Sequence, residues 1–188
     1  MNMEVIKANV RNFLDEKRYE HVKRVAKCAV KLAKIYGVPV EKVEASAWLH
    51  DVAKFFEIPR MLDLVRGKYP EIENKIFWTN AILHGFAGAE FVAKNYDLFE
   101  VDDDDIFSAI KYHTIGNENM TTLSKIIYLA DAIEEKRDWD GVETARKLAK
   151  EDLDLAIKFE IDRKLEYLLE RDSVNHPNII KFRNSILK

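Results

Sequence analysis

Apolar residues recur at spacings of three and four along almost the whole chain, which is the period of an α-helix. The first such face consists of Val22, Val25, Ala26, Ala29 and Ala33. Gly37, followed by Pro39, is typical of the end of that helix. No stretch alternates apolar and polar residues over enough length to predict a strand. The sequence therefore predicts an all-α fold.

Prolines, glycines and capping residues divide the rest of the chain into further helices. They are predicted over residues 41–55, 58–69, 80–95, 102–113, 122–137 and 142–171, and a last helix begins at Pro177. Gly88 is expected at a close helix contact. The acidic run Asp102–Asp105 is typical of a helix start, where a cap and negative charge are both favourable. A calcium site is the alternative, but the internal Gly and terminal Glu of a calcium loop are missing.

Size and composition limit the class of protein. The 188 residues predict one domain over 1–188, and 47% hydrophobic with 34% charged residues excludes a disordered chain. The net charge of −3 argues against nucleic-acid binding through a global basic surface. A single cysteine, Cys28, excludes an internal disulfide framework and a cysteine-based zinc site. No long apolar run predicts a membrane span or a signal peptide, so a cytoplasmic protein is expected.

Histidines and aspartates form the most informative group of polar residues. Taken singly, a histidine on a half-apolar helix is more often a hydrogen-bonded core residue than a ligand. Asp131 lies in a mostly apolar helical stretch, where an unpaired carboxylate is costly. Together, four imidazoles and two carboxylates suit iron, manganese or zinc. The six residues are His21, His50, Asp51, His84, His113 and Asp131.

Three charged residues near these positions, and the fifth histidine, allow more than one interpretation. Lys54 follows His50 by four positions, so it shares a helix face and suits a phosphate-bearing substrate. Alternatively, its stem covers the core and its ammonium reaches water. Glu134 and Arg137 form either an ion pair within their helix or a contact to substrate. His176 is expected on the surface at a helix start and is left out of the site.

The order His21, His50-Asp51 and Asp131 resembles the signature of the HD-domain metal-dependent phosphohydrolases. The stretch from His113-Thr114-Ile115-Gly116 to Arg137 is similar to the YqeK family, which hydrolyses diadenosine tetraphosphate symmetrically to two ADP. Further matching positions are Arg18, Leu49, Lys54 and Leu83-His84-Gly85. Three positions depart from the family pattern: Ile115 replaces a usual Thr, Thr121 a common Ser and Glu135 a usual Pro.

The resemblance implies an HD-domain helical bundle with a central metal site. One divalent transition metal would be held by His21, His50, Asp51 and Asp131. A second would be held by His84 and His113, with Asp51 as the bridge. Iron is the first choice and manganese the second.

The same resemblance assigns roles toward the nucleotide. Asp51 and Lys54 are expected to be catalytic. Arg18, Lys54 and Arg137 would bring positive charge to the polyphosphate, and Thr114 and Gly116 would line the nucleotide pocket. The alternatives are an HD phosphohydrolase for mononucleotides or another phosphoester, a slow nucleotide-binding regulatory module, and an oxygen-activating diiron enzyme. A homodimer is left open.

Overall fold

The computed structural model describes residues 1–187 and contains eleven α-helices in that range. They are α1 (Met3–Val10), α2 (Glu16–Tyr36), α3 (Val40–Leu49), α4 (Ile58–Val65), α5 (Asn80–Lys94), α6 (Tyr96–Phe99), α7 (Asp104–Tyr112), α8 (Thr122–Ile133), α9 (Val142–Leu148), α10 (Leu153–Glu170) and α11 (Pro177–Ser185). Within the described residues there is no β-strand, so the prediction of an all-α fold is confirmed. None of these helices combines the length and the apolarity that crossing a membrane requires.

Local capping interactions set several helix boundaries as the sequence predicts. The Asp15 carboxylate accepts the Arg18 N–H at 2.7 Å and starts α2. Gly37 ends α2 in the left-handed conformation, with φ of 67°. The Asp103 side chain caps α7, so the aspartate run is a helix start, as expected.

Other predicted helices are shorter than their apolar pattern. The helix predicted over 41–55 ends at Leu49, and residues 50–55 form tight turns with bonds such as that from the Lys54 N–H to the Asp51 carbonyl. The helix predicted over 122–137 ends at Ile133. The long run 142–171 divides into α9 and α10, because Asp152 caps a new helix start by accepting the Leu155 N–H.

Close packing between α5 and α7 brings two of the histidine positions together. A Cβ atom on Gly85 would lie 2.6 Å from the Lys111 carbonyl oxygen, so the backbones approach where only glycine fits. Gly88 also lies at this contact, as predicted, although its nearest neighbour is the flexible Ile110 side chain at 3.3 Å. His84 is on α5 and His113 follows α7, so this contact sets their separation.

The prediction that His176 lies on the surface is wrong. Its side chain caps α11 by accepting the Asn178 N–H, and only 2% of the residue is exposed. Its other ring nitrogen bonds the Glu71 carbonyl oxygen at 2.9 Å, and its ring packs on Phe77. The sequence indicated the helix start, but the partners that bury the ring are about a hundred residues away.

Candidate metal centre

Five separate segments bring the six predicted ligand residues to one buried place. His21 comes from α2, and His50 and Asp51 from the turn after α3. His84 comes from α5, His113 from the residue after α7 and Asp131 from α8. All but Asp131 are buried.

Asp51 lies between two pairs of imidazoles. Its Oδ2 atom is 3.3 Å from Nε2 of His50 and 3.9 Å from Nε2 of His21. Its Oδ1 atom is 3.2 Å from Nε2 of His84 and 3.8 Å from Nε2 of His113. Each oxygen therefore faces a different pair, which is the geometry of a carboxylate that can bridge two ions.

Hydrogen bonds on the far side of the rings fix the tautomers of three histidines. In each, Nδ1 donates to a backbone carbonyl, which only accepts, so the proton is on Nδ1 and Nε2 has a free lone pair. These bonds join His50 to Ala47 (2.7 Å), His84 to Asn80 (2.6 Å) and His113 to Ile110 (2.7 Å). His21 has the same arrangement, with Nδ1 3.1 Å from the Glu134 carboxylate.

The inward-facing atoms fit a cation. Within residues 1–187, Nε2 of His21 and Nε2 of His50 have no hydrogen-bond partner although both are buried. Nε2 of His21 is 3.0 Å from the Asp131 carboxylate, and Nε2 of His84 is 3.0 Å from Nε2 of His113. Lone pairs that face anions or one another repel unless a cation lies between them. Two groups have ligand atoms within 4.8 Å of one another: His21–His50–Asp131 and His50–Asp51–His113.

The ionisation of the ligand groups depends on their neighbours. Burial, followed by the nearby His84 and His50, holds the pKa of His113 well below its ordinary value. Burial would raise the pKa of Asp51, but His50 and His84 outweigh it and hold that pKa well below the usual range. Burial lowers the pKa of His50, but the Asp51 carboxylate outweighs burial and raises it. Neutral imidazoles and ionised carboxylates are the forms that coordinate metals, so a metal ion competes with a proton at His50.

Three cationic side chains surround the same centre. Arg18 donates to Oδ2 of Asp51 at 2.9 Å, and Arg137 donates to Oδ1 of Asp131 at 2.6 Å. The Lys54 ammonium lies 3.4 Å from Nε2 of His84, and burial lowers the pKa of Lys54. The Lys54 side chain therefore points into the centre rather than toward the surface.

The suggested ion pair between Glu134 and Arg137 is replaced by two longer-range contacts. Arg137 bonds both the carboxylate and the backbone carbonyl of Asp131. Glu134 instead accepts from Arg24 at 2.8 Å and contacts His21. Because α8 ends at Ile133, Glu134 and Arg137 do not share a helix face.

A cavity of about 510 Å³ opens from the centre. Arg18, Lys54 and Arg137 line it together with four of the six ligand residues, and Thr114 and Ile115 also line it. Gly116, which was expected to line the pocket, is not among the residues that line this cavity. Gly116 has a left-handed backbone with φ of 68° and packs under Phe182, whose ring leaves no space for a Cβ atom.

Further residues of the cavity wall were missed in the sequence. Five of them are on α10: Glu160, Arg163, Lys164, Tyr167 and Leu168. The available signal was Glu160, a charged residue between Ile157 and Ile161 on the apolar face of the predicted helix.

Comparison with known families decides the class of this centre, since residues 18–136 match the HD domain family. The chain belongs to the HD domain family. Its relatives include proteins named symmetrical bis(5′-nucleosyl)-tetraphosphatase. That of Halalkalibacterium halodurans is 36% identical over 178 residues, covering 95% of this chain and 93% of the relative. That of Bacillus subtilis is 36% identical over 182 residues, covering 95% and 94%.

A solved structure has the same architecture. The protein in a crystal structure described as a predicted HD superfamily hydrolase involved in NAD metabolism, from Clostridium acetobutylicum, is 34% identical. The superposition has a TM-score of 0.90 and covers 99% of this chain and 97% of the Clostridium acetobutylicum chain. The HD-domain fold implied by the sequence is confirmed by this match.

Proposed function

We propose that this protein is a metal-dependent hydrolase that cleaves diadenosine tetraphosphate symmetrically to two ADP. The observation that carries the proposal is the placement of Asp51 between two imidazole pairs, beside three cationic side chains that line the same cavity. Relatives aligned over nearly the whole chain bear the name of this activity. The HD-domain centre implies dependence on divalent metal.

The residues of the centre have complementary tasks in this reaction. When bound, a divalent metal supplies Lewis acidity that lowers the pKa of a coordinated water and neutralises phosphoryl charge. His21, His50, Asp51 and Asp131 would hold one ion. His84 and His113, with Asp51, would hold a second. We propose iron in the cell, with manganese as the next choice, because mixed histidine and carboxylate ligands accept both.

The surrounding groups position the polyphosphate. Arg18, Lys54 and Arg137 place positive charge beside the centre, where the transferred phosphoryl oxygens gain negative charge. The Thr114 hydroxyl is buried in the cavity wall without a hydrogen-bond partner in the described chain, so it is available to the nucleotide. ADP is a good leaving group, so the reaction does not require a strong general acid.

The product pattern tests this proposal directly. Purified protein reconstituted with Fe²⁺ or Mn²⁺ is incubated with diadenosine tetraphosphate, and the products are separated by chromatography. We expect ADP alone, because one ADP half occupies the cavity and its β-phosphorus lies at the metal centre. Equimolar ATP and AMP would contradict the placement of the β-phosphorus at the metal centre. Cleavage of mononucleotides or other phosphoesters only would favour the broader HD phosphohydrolase activity.

A further inference from the structure

The α10 residues of the cavity wall carry charges that are paired within their own helix. Lys164 contacts Glu160 at 3.0 Å, and Nη2 of Arg163 contacts Glu166 at 2.7 Å, whereas Nε of Arg163 is buried without a hydrogen-bond partner in residues 1–187. The proposed reaction places the phosphates of the nucleotide at the metal centre. The nucleoside is then the part of the nucleotide that reaches the rest of the cavity wall, which includes these α10 residues.

Glu160, on α10, has one carboxylate oxygen without a partner. Only 5% of the residue is exposed, and its Oε1 atom contacts Lys164. The Tyr128 hydroxyl accepts from Lys164 at 2.8 Å and also interacts with the Glu160 carboxylate, which after burial is the main cause of the raised pKa of Tyr128 and holds the group against α8. The Oε2 atom of Glu160 is buried and has no hydrogen-bond partner among residues 1–187. An unpaired buried carboxylate oxygen is costly, so a donor from a ligand would relieve it.

We propose that Glu160 is the specificity-determining residue for the nucleoside: its Oε2 atom accepts a hydrogen bond from an N–H or O–H group of the bound nucleoside. The inference rests on the proposed function, which supplies a nucleotide with its phosphates at the metals. Adenosine has two kinds of donor, the exocyclic amino group and the ribose hydroxyls. Tyr167 and Val174, both partly exposed, add an apolar rim that the nucleoside would cover.

A set of ADP analogues tests the inference on the wild-type protein. Calorimetry with the metal-loaded protein compares ADP with purine riboside 5′-diphosphate, which lacks the amino group, and with 2′-deoxy-ADP and 3′-deoxy-ADP. We expect at least one analogue to bind about tenfold or more weakly, as for a lost hydrogen bond to a charged group. The analogue that loses affinity identifies the donor. Equal affinity for all four ligands would overturn the inference.

Substitution of Glu160 then locates the acceptor. Glu160→Leu keeps a similar volume but has no acceptor, so ADP and the discriminated analogue should bind equally. Glu160→Gln keeps an amide oxygen and should keep part of the discrimination. Glu170→Gln is the matched control, because Glu170 is an exposed glutamate of the same helix and does not line the cavity. Discrimination that persists in Glu160→Leu would overturn the inference.

The same measurements separate this inference from the proposed function. If the wild-type protein cleaves diadenosine tetraphosphate and binds ADP without discriminating the analogues, only the role of Glu160 is wrong. If the wild-type protein neither cleaves diadenosine tetraphosphate nor binds ADP, the proposed function and the role of Glu160 are both wrong. If Glu160→Leu does not fold, Glu160→Gln carries the test, and discrimination equal to that of the wild-type protein would overturn the inference.

Discussion

Asp51 is the residue on which the proposed centre depends most. Each of its oxygens faces a different imidazole pair, so its removal affects both proposed metal positions at once. We predict that Asp51→Ala abolishes hydrolysis of diadenosine tetraphosphate while the helical circular dichroism is retained. Asp63→Ala is the control, since Asp63 is an exposed residue of α4. Near-native activity of Asp51→Ala would show that this carboxylate is not catalytic.

Glu134 acts on the centre through His21. Its carboxylate contacts Nδ1 of His21 and is held by Arg24, so it orients the imidazole and keeps the proton away from Nε2. Carboxylates that hydrogen-bond a metal-ligating histidine typically contribute a factor of about 10–100 to metal affinity. We therefore predict a loss of that order for Glu134→Ala, measured by chelator competition.

The variants of Glu134 distinguish a positioning role from a structural one. Glu134→Gln keeps an acceptor for His21 and should restore most of the metal affinity. Glu135→Ala changes the exposed neighbouring carboxylate and should leave the metal affinity unchanged. Equal metal affinity of Glu134→Ala and the wild-type protein would contradict the positioning role.

Lys54 supplies buried positive charge next to His84. We predict that Lys54→Met lowers kcat for diadenosine tetraphosphate on the order of 10²-fold, as for loss of other single electrostatic donors. Metal content, measured by elemental analysis, should not fall, because an ammonium is not a ligand. A normal kcat would place Lys54 outside the reaction.

At the level of helices, the contact between α5 and α7 sets the spacing of the second imidazole pair. A Cβ atom on Gly85 would collide with the Lys111 backbone at 2.6 Å, whereas a Cβ atom on Gly88 would meet the Ile110 side chain at 3.3 Å. We predict that Gly85→Ala loses about 1–3 kcal/mol of unfolding free energy, in the range for overpacked cores. Gly88→Ala should lose less, because a side chain moves more easily than backbone. Urea denaturation of both variants measures the difference, and equal stability would contradict it.

At the level of the whole molecule, the C-terminal helices complete the cavity. The HD match ends at residue 136, yet α10 packs on α8 and lines the same cavity as the metal centre. We propose that residues 1–188 form one domain, and we predict a single cooperative thermal unfolding transition. A separate transition for the C-terminal helices would contradict it.

Metal removal should lower that unfolding temperature. At about 100 times the dissociation constant, a ligand stabilises the folded state by roughly 2.7 kcal/mol. For a protein of this size, that corresponds to a shift in Tm of roughly 5–10 °C. Differential scanning calorimetry of metal-loaded and chelator-treated protein measures it. Identical Tm values would show that the folded chain does not bind the metal supplied.

The sequence by itself determined the fold class, most helix starts and the identity of the six clustered residues. Helical periodicity and caps depend on residues within about four positions of one another, so Asp15, Gly37 and Asp103 set their boundaries wherever the helices pack. The His50-Asp51 pair, with the spaced histidines and Asp131, carried the resemblance to the HD family that the comparison confirmed. The turns that end the helices after Leu49 and Ile133 were hidden, because the apolar pattern continues through them.

Only the tertiary structure decided which distant groups meet. Local sequence does not encode three of the contacts in this structure. They are those of His21 with Glu134, of His176 with Glu71, and of α10 with the cavity at the metal centre. Glu134 and Arg137 illustrate this, since their spacing suggested a pair while each bonds a different partner. The physical reason is that a buried polar group takes whichever donor or acceptor the packed helices bring within about 3 Å. That choice depends on helix packing across more than a hundred residues of chain.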